Sequence, residues 1–199
     1  MANDKIKYGL SQVHYAVLND ESENTYDTPK PIKGAVNLAL SAEGDTSTFY
    51  ADNSAYFVTR LNNGFSGDLE VARIPEDFLT EVLGYEKDEA TGMLLEVANA
   101  IPKTVALMFQ FEQDINAKRV VLFKVAVGRP GVNHKTKNES LEPETDTIPI
   151  TVTPLTINDK TFTKGVISAT DKGYADFFTK VTLPSSSKEV KKKEKNFEM

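Results

Sequence analysis

The chain has 199 residues, 40% apolar and 26% charged, the balance of a globular protein of one or two domains that can bury a core without covalent staples. It contains no Cys, which excludes a disulfide framework, a thiolate metal site and a cysteine nucleophile. Net charge is −6, and the last fifteen residues carry five Lys against three Glu, so the rest is near −8 and poorly suited to gripping nucleic acid by its phosphates.

No apolar run approaches the length that spans a bilayer. The opening Met-Ala-Asn-Asp-Lys-Ile-Lys has charges with no apolar segment behind them, so no signal peptide and synthesis in the cytoplasm are expected. Residues 19–31 are polar with two prolines and read as irregular. Val36, Leu38 and Leu40 then fall on one face of a strand. Residues 41–54, rich in small and polar side chains around Glu43-Gly44-Asp45, read as a long connection, and long connections tend to be functional or disordered. Phe65, Leu69 and Val71 alternate with Ser66, Asp68 and Glu70 as a half-buried strand.

Pro75, with Glu76 and Asp77 behind it, predicts a helix start. Phe78, Leu79, Val82 and Leu83 make its apolar face, and Gly84 its stop. Met93, Leu95 and Val97 suggest another strand. Val105, Leu107, Phe109 and Phe111, with Ala106 and Met108 on the opposite face, predict a central strand between two packed layers. A polar turn around Asp114 and Asn116 joins it to residues 119–127 in a hairpin that ends at Gly128-Arg129-Pro130-Gly131. Residues 132–146 hold four acids and little to bury. Ile148, Ile150 and Val152 alternate with Pro149, and a Pro that cannot donate to a ladder points to an edge strand or a bulge. Residues 161–169 suit a further strand, and Tyr174, Phe177, Phe178 and Val181 have the spacing of a short helix. Residues 185–199 form a low-complexity tail of Ser, Lys and Glu. The expected fold class is mainly β, an antiparallel sandwich or barrel-like domain over residues 1–184 with one or two short flanking helices, long loops and a flexible charged tail over 185–199.

Chemistry is not announced. His14 alternates with apolar neighbours and reads as a hydrogen-bonded strand residue, and His134 sits in a charged loop. Neither pairs with a nucleophile or second ligand, so no catalytic residue, no metal and no cofactor are expected. The acids Glu139, Glu142, Glu144 and Asp146 lack the pattern of a calcium loop. Gly64-Phe-Ser-Gly67 lacks the Lys-Ser/Thr of a phosphate loop, and Lys191-Lys192-Lys193 reads as part of a solvated tail. A β domain with an exposed edge and long loops points to assembly, as an adhesin-like module, a virion protein or another self-assembling unit.

Several stretches resemble one family in order along residues 5–183. They include Lys5-Ile-Lys-Tyr-Gly-Leu-Ser-Gln-Val-His-Tyr-Ala, Ile32-Lys-Gly-Ala-Val-Asn-Leu-Ala-Leu-Ser-Ala-Glu-Gly-Asp with Phe49-Tyr-Ala-Asp-Asn, and Asn63-Gly-Phe-Ser-Gly-Asp-Leu-Glu-Val-Ala-Arg-Ile-Pro-Glu-Asp-Phe. Ala106-Leu-Met-Phe-Gln-Phe-Glu, Gly128-Arg-Pro, Lys135-Thr-Lys-Asn-Glu-Ser-Leu-Glu-Pro and Tyr174-Ala-Asp-Phe-Phe continue the set. They resemble the major tail tube proteins of long-tailed, non-contractile bacteriophages (siphophages) of Gram-positive bacteria. The resemblance implies a non-enzymatic virion subunit whose homo-hexameric rings stack into a hollow conduit, with DNA passing through the lumen without specific binding. It implies tape-measure and tail tip or terminator proteins as further partners, and no membrane. The alternatives are an inner tube subunit of a contractile or secretion-type machine, or an adhesin-like binding domain. On the tube reading, Ser41, Glu43, Gly44, Asp45, Phe49, Tyr50 and Asp52 are the candidate inter-ring loop. Ile148, Ile150 and Val152 are the candidate inter-subunit edge strand.

Overall fold

The computed structural model describes residues 9–112, 117–132, 136 and 144–184. In chain order its elements are β1 (Leu10–Asp20), β2 (Thr25–Tyr26), β3 (Lys30–Pro31), β4 (Ala35–Glu43), β5 (Thr46–Ala51), β6 (Ser54–Arg60), β7 (Gly64–Val71), α1 (Glu76–Glu81), β8 (Glu86–Lys87) and β9 (Leu94–Leu95). They continue with β10 (Val105–Phe111), β11 (Arg119–Val127), β12 (Asp146–Val152), β13 (Leu155–Ile157), β14 (Lys160–Phe162) and β15 (Lys164–Ile167). The chain is mainly β, as its period-two patterning predicts, and every strand pair is antiparallel.

One sheet of nine strands organises the molecule, in the order β2-β1-β10-β11-β12-β7-β4, with β3 also on β1 and β15 also on β11. β10 lies inside it and is buried on both faces, as its two apolar stripes require. Val105, Leu107 and Phe109 enter a large core together with Val13 and Tyr15 of β1, Leu69 and Val71 of β7, and Ile148, Ile150 and Val152 of β12. Strands from opposite ends of the sheet therefore share one core, so the sheet curls. β4 comes back close to β1 with no hydrogen-bonded ladder between them, leaving a barrel-like body open along one seam. α1 packs on this core through Phe78, whose ring meets Tyr15 edge-on at 4.9 Å. Ala106 and Met108 turn the other way, into a second core closed by Leu155, Ile157 and Phe177. Each large side chain so buried contributes about 1.5–3 kcal/mol, so the two-faced strand is the main anchor of the fold.

Several expectations need correction. Ile148, Ile150 and Val152 do not lie on an edge strand. β12 pairs with β7 along its whole length and with β11 over Ile150–Val152, and all three side chains are buried. Pro149 is tolerated there because β11 ends opposite it. Its carbonyl accepts from Gly128 N at 2.7 Å, and the reciprocal bond, which Pro cannot donate, falls where the ladder stops. Val36 does not join Leu38 and Leu40, because a bulge between Ala35 and Asn37 turns it outward to 52% exposure. Around Met93 and Leu95 only the two-residue β9 forms, paired with β8. The expected strand at 161–169 is two short ones with different partners, β14 on β13 and β15 on β11. Residues 174–181 form successive turns rather than a helix, with three-residue bonds from Tyr174 N to Asp171 O, Phe177 N to Tyr174 O and Thr179 N to Asp176 O. An isolated segment this short is too brief to hold a helix on its own, and burial of Phe177 decides its shape. Residues 19–31 are less irregular than expected, since β2 and β3 both add to β1. The turn around Asp114, most of the acidic loop with His134, Glu139 and Glu142, and the tail over 185–199 lie outside the described residues.

Candidate assembly surfaces

Residues 41–54 are ordered strand and turn for most of their length, and they belong to an arm. The β4–β7 ladder runs out to Glu43 opposite Gly64 and continues through two isolated bonds, Asn63 N to Glu43 O and Leu61 N to Asp45 O, each 2.9 Å. Among the described residues β5 and β6 then pair only with each other, from Thr46 opposite Arg60 to Ala51 opposite Ser54. The tip is Asp52-Asn53, with φ of 49° and 56°. Two consecutive left-handed residues match a type I′ turn, whose twist suits a two-residue hairpin and which favours Asp and Asn. Six residues of strand extend the arm about 20 Å past its root.

The root is tightly specified. A Cβ on Gly44 would collide with the Leu61 carbonyl oxygen, so glycine allows the two chains to approach there. Asn63 Nδ2 donates to Asp45 Oδ2 at 3.2 Å, Gly64 N donates to Asn62 Oδ1 at 3.0 Å, and Ser66 Oγ donates to Glu43 Oε1. Ser41 sits opposite Ser66 within the body's sheet. Of the seven predicted loop residues, Ser41 and Glu43 thus belong to the body's sheet below the arm, Gly44 and Asp45 form its root, Phe49 and Tyr50 lie in β5, and Asp52 is in the tip turn.

The arm is unusually apolar for something so exposed. Tyr56 is 74% exposed, Tyr50 68%, Phe49 61% and Phe57 60%, with Val58 and Leu61 also exposed. Phe49 and Phe57 are directly opposed on one face, and Thr48 with Val58 occupies the other. A bulge between Phe49 and Tyr50 leaves Tyr56 as the extra residue of β6. Contiguous exposed apolar surface of this kind marks an interaction site. The sequence reading missed Tyr56, Phe57, Val58 and Leu61. The signal was present as a run of strand-forming residues directly after an Asp-Asn turn.

Two further features adjoin the root. Among the described residues, the edge of β4 that faces the seam carries no hydrogen-bonded strand, and its nine residues contain neither Pro nor Lys, two common devices against edge pairing. Beside it, at the end of the barrel from which the arm leaves, is an apolar groove of about 310 Å³ lined by Leu40, Phe65, Phe109, Phe111, Val120, Leu122 and Val166, with Lys118 and Lys164. Lys164 Nζ lies 5.1 Å over the Phe65 ring. A second hollow of about 420 Å³ along β4 shares Leu40, Phe109 and Phe111.

The polar groups elsewhere do structural work. His14 Nδ1 lies 2.8 Å from the Gln12 carbonyl, and its ring stacks on Phe178 at 4.6 Å. The Arg119 guanidinium lies 3.6 Å over the Tyr174 ring and 4.7 Å over Phe178, and donates to Gln110 Oε1 at 2.9 Å. Together they pin the turns after β15 to the sheet. The Tyr15 hydroxyl donates to Glu81 Oε2 at 3.1 Å, and burial, then the Glu81 charge, raises its pKa above the ordinary tyrosine value. Asp88 accepts from the Thr91 hydroxyl and from Ala90 N, and these bonds hold its pKa below the usual carboxylate value. Gly64 to Gly67 lie within β7. Among the described residues no three His, Asp or Glu side chains converge as a metal site, and no helix is long and apolar enough to cross a membrane.

No protein-family model matches the chain, and no curated protein matches it. Among solved structures it is similar to a chain in the six-fold symmetrised cryo-EM structure of the anti-feeding prophage baseplate, at 10% identity and a TM-score of 0.47, covering 86% of this chain and 100% of that one. A likeness of that size establishes neither a shared fold nor a shared function.

Proposed function

We propose that the chain is a structural subunit of a phage tail tube, non-enzymatic and carried in the virion, whose copies close into six-membered rings that stack around a DNA conduit. The observation that carries this reading is the arm, a hairpin whose aromatic side chains are exposed along its length and, among the described residues, covered by no other part of the chain. Such a surface is completed by another molecule. The ordered resemblance across residues 5–183 supplies the kind of assembly. Ring closure needs head-to-tail contacts between unlike surfaces of each copy. Stacking needs a part that reaches the next ring, and the arm has the length for it. The acidic body disfavours phosphate capture, as a conduit requires. Tape-measure and tail-end proteins would set where the stack starts and stops.

Negative-stain electron microscopy of the purified chain across a concentration series tests the reading, with rings or tubes as the expected result. Uniform monomers at every concentration count against it. A variant in which residues 46–60 are replaced by Asn-Gly, joining the bonded pair Asp45 and Leu61, should fold and fail to build tubes. Tubes of normal length from that variant would remove the arm from stacking.

A further inference from the structure

We infer that the arm of one copy docks in the barrel-end groove of a second copy, with the Phe49–Phe57 pair filling the groove and a strand of the arm adding to the free edge of β4. The inference rests on the self-assembly reading and deepens it by naming the receptor.

Size is the first argument. A cavity of about 150 Å³ lined by apolar side chains holds one benzene ring, so a groove of twice that volume accepts the two opposed rings of Phe49 and Phe57. The chain's own arm leaves the groove unfilled, since its aromatic side chains stay largely exposed. Chemistry is the second argument. Phe65 and Phe111, both half-buried in the groove lining, give incoming rings aromatic neighbours, and aromatic pairs attract beyond the area they bury. Charge is the third. Residues 43–60 carry Glu43, Asp45 and Asp52 against a single Arg60, while the groove carries Lys118 and Lys164. Opposite signs steer the two surfaces together and disfavour arm-to-arm pairing. Backbone is the fourth. β4 borders the groove with an edge that no described strand pairs, so an incoming strand gains main-chain bonds while its side chains enter the pocket. Arm and groove are different surfaces of each copy, so the contact is head-to-tail and propagates.

The test places a photo-crosslinking benzoyl-phenylalanine at Phe57 in the full chain and maps the inter-chain products. The expected products join residue 57 to peptides containing Phe109, Phe111, Val120 or Val166. Val166→Trp blocks the groove at a residue that is 57% exposed, so folding, read by the thermal melt, should be unchanged. Cross-link yield should fall about tenfold or more, and the chain should elute as monomer. Mixing Val166→Trp with Phe49→Ser/Phe57→Ser restores one contact per pair, so a one-to-one complex that grows no further is expected. Cross-links to another surface of the second copy, or undiminished yield in Val166→Trp, overturn this contact and leave the tube reading standing. Absence of any inter-chain product together with monomeric elution overturns both.

Discussion

β10 and β5 are both short strands dense in apolar side chains, and they end in opposite environments. β10 buries residues on both faces, one set in each core. β5 buries none, and its aromatic residues face solvent on an arm that pairs only with β6. The same strand-forming chemistry serves two purposes. In β10 it stabilises the monomer, at about 1.5–3 kcal/mol per large side chain. In β5 and β6 it contributes little to the monomer, and its apolar area is held in reserve for another chain. Substitutions should therefore divide sharply between those that unfold the chain and those that only isolate it.

The largest expected effect lies beside β10. Leu122, almost wholly buried opposite Leu107, anchors the β11 side of the large core. Leu122→Ala should cost about 2–5 kcal/mol, read as a lower denaturant midpoint with an unchanged slope. A loss below about 1 kcal/mol would show that the core collapses around the gap and that β10 is a weaker anchor than its burial implies. Arg119→Ala should cost less, about 1–2 kcal/mol, because it removes a cation from between two aromatic rings together with its bonds to Gln110 and Tyr174. Its proper signature is local. Hydrogen exchange should rise in residues 168–184 before it rises in β10, and uniform protection loss would contradict a pinning role.

Alkaline pH probes the body alone. Tyr15 and Tyr26 both have raised pKa values, each mainly through burial, with Glu81 and Glu21 adding respectively. Tyr26 also donates its hydroxyl to the Phe123 carbonyl at 2.8 Å. The folded state thus holds both phenols neutral at pH values where the unfolded chain ionises them. Their contribution is fully present below the unfolded value near 10 and is lost as pH rises beyond it. Tyr15→Phe and Tyr26→Phe should each flatten the fall of melting temperature above pH 10. A fall of melting temperature above pH 10 that neither variant changes would contradict a folded state that holds these two phenols neutral.

What could be read beforehand follows the same divide. β10, β11 and β7 were legible because alternation reports a buried face, and these strands have one. β12 was legible as a strand but misplaced, since the missing donor of Pro149 coincides with the end of a ladder and not with the edge of the sheet. Bulges are silent in an alternation count, so Val36 was put on the wrong face. The spacing of Tyr174, Phe177, Phe178 and Val181 identified side chains that dock, the last three on the second core and Tyr174 under Arg119, yet docking proceeds through turns. At the candidate site, Glu43-Gly44-Asp45 and Asp52 drew notice as polar and flexible, while the apolar half, Tyr56 to Leu61, did not. A strand that buries nothing within its own chain has no inside to alternate with, so its pattern is uninformative until a partner supplies one.

That absence of an inside predicts the smallest effect on stability. Phe49→Ser/Phe57→Ser replaces two large apolar residues, a change that in β10 would unfold the protein. On the arm Phe49 is 61% and Phe57 60% exposed, so most of their apolar area is still in water in the folded chain and only a minor part of the transfer term is lost. The double variant should lose no more than about 1 kcal/mol in chemical denaturation, the scale of one cross-strand aromatic pair. A loss of several kcal/mol would mean that the arm folds back on its own barrel, and the account of an exposed, waiting surface would fail. Unchanged stability with abolished self-association, read by light scattering at matched concentration, separates the energetics of the fold from those of the assembly within one chain.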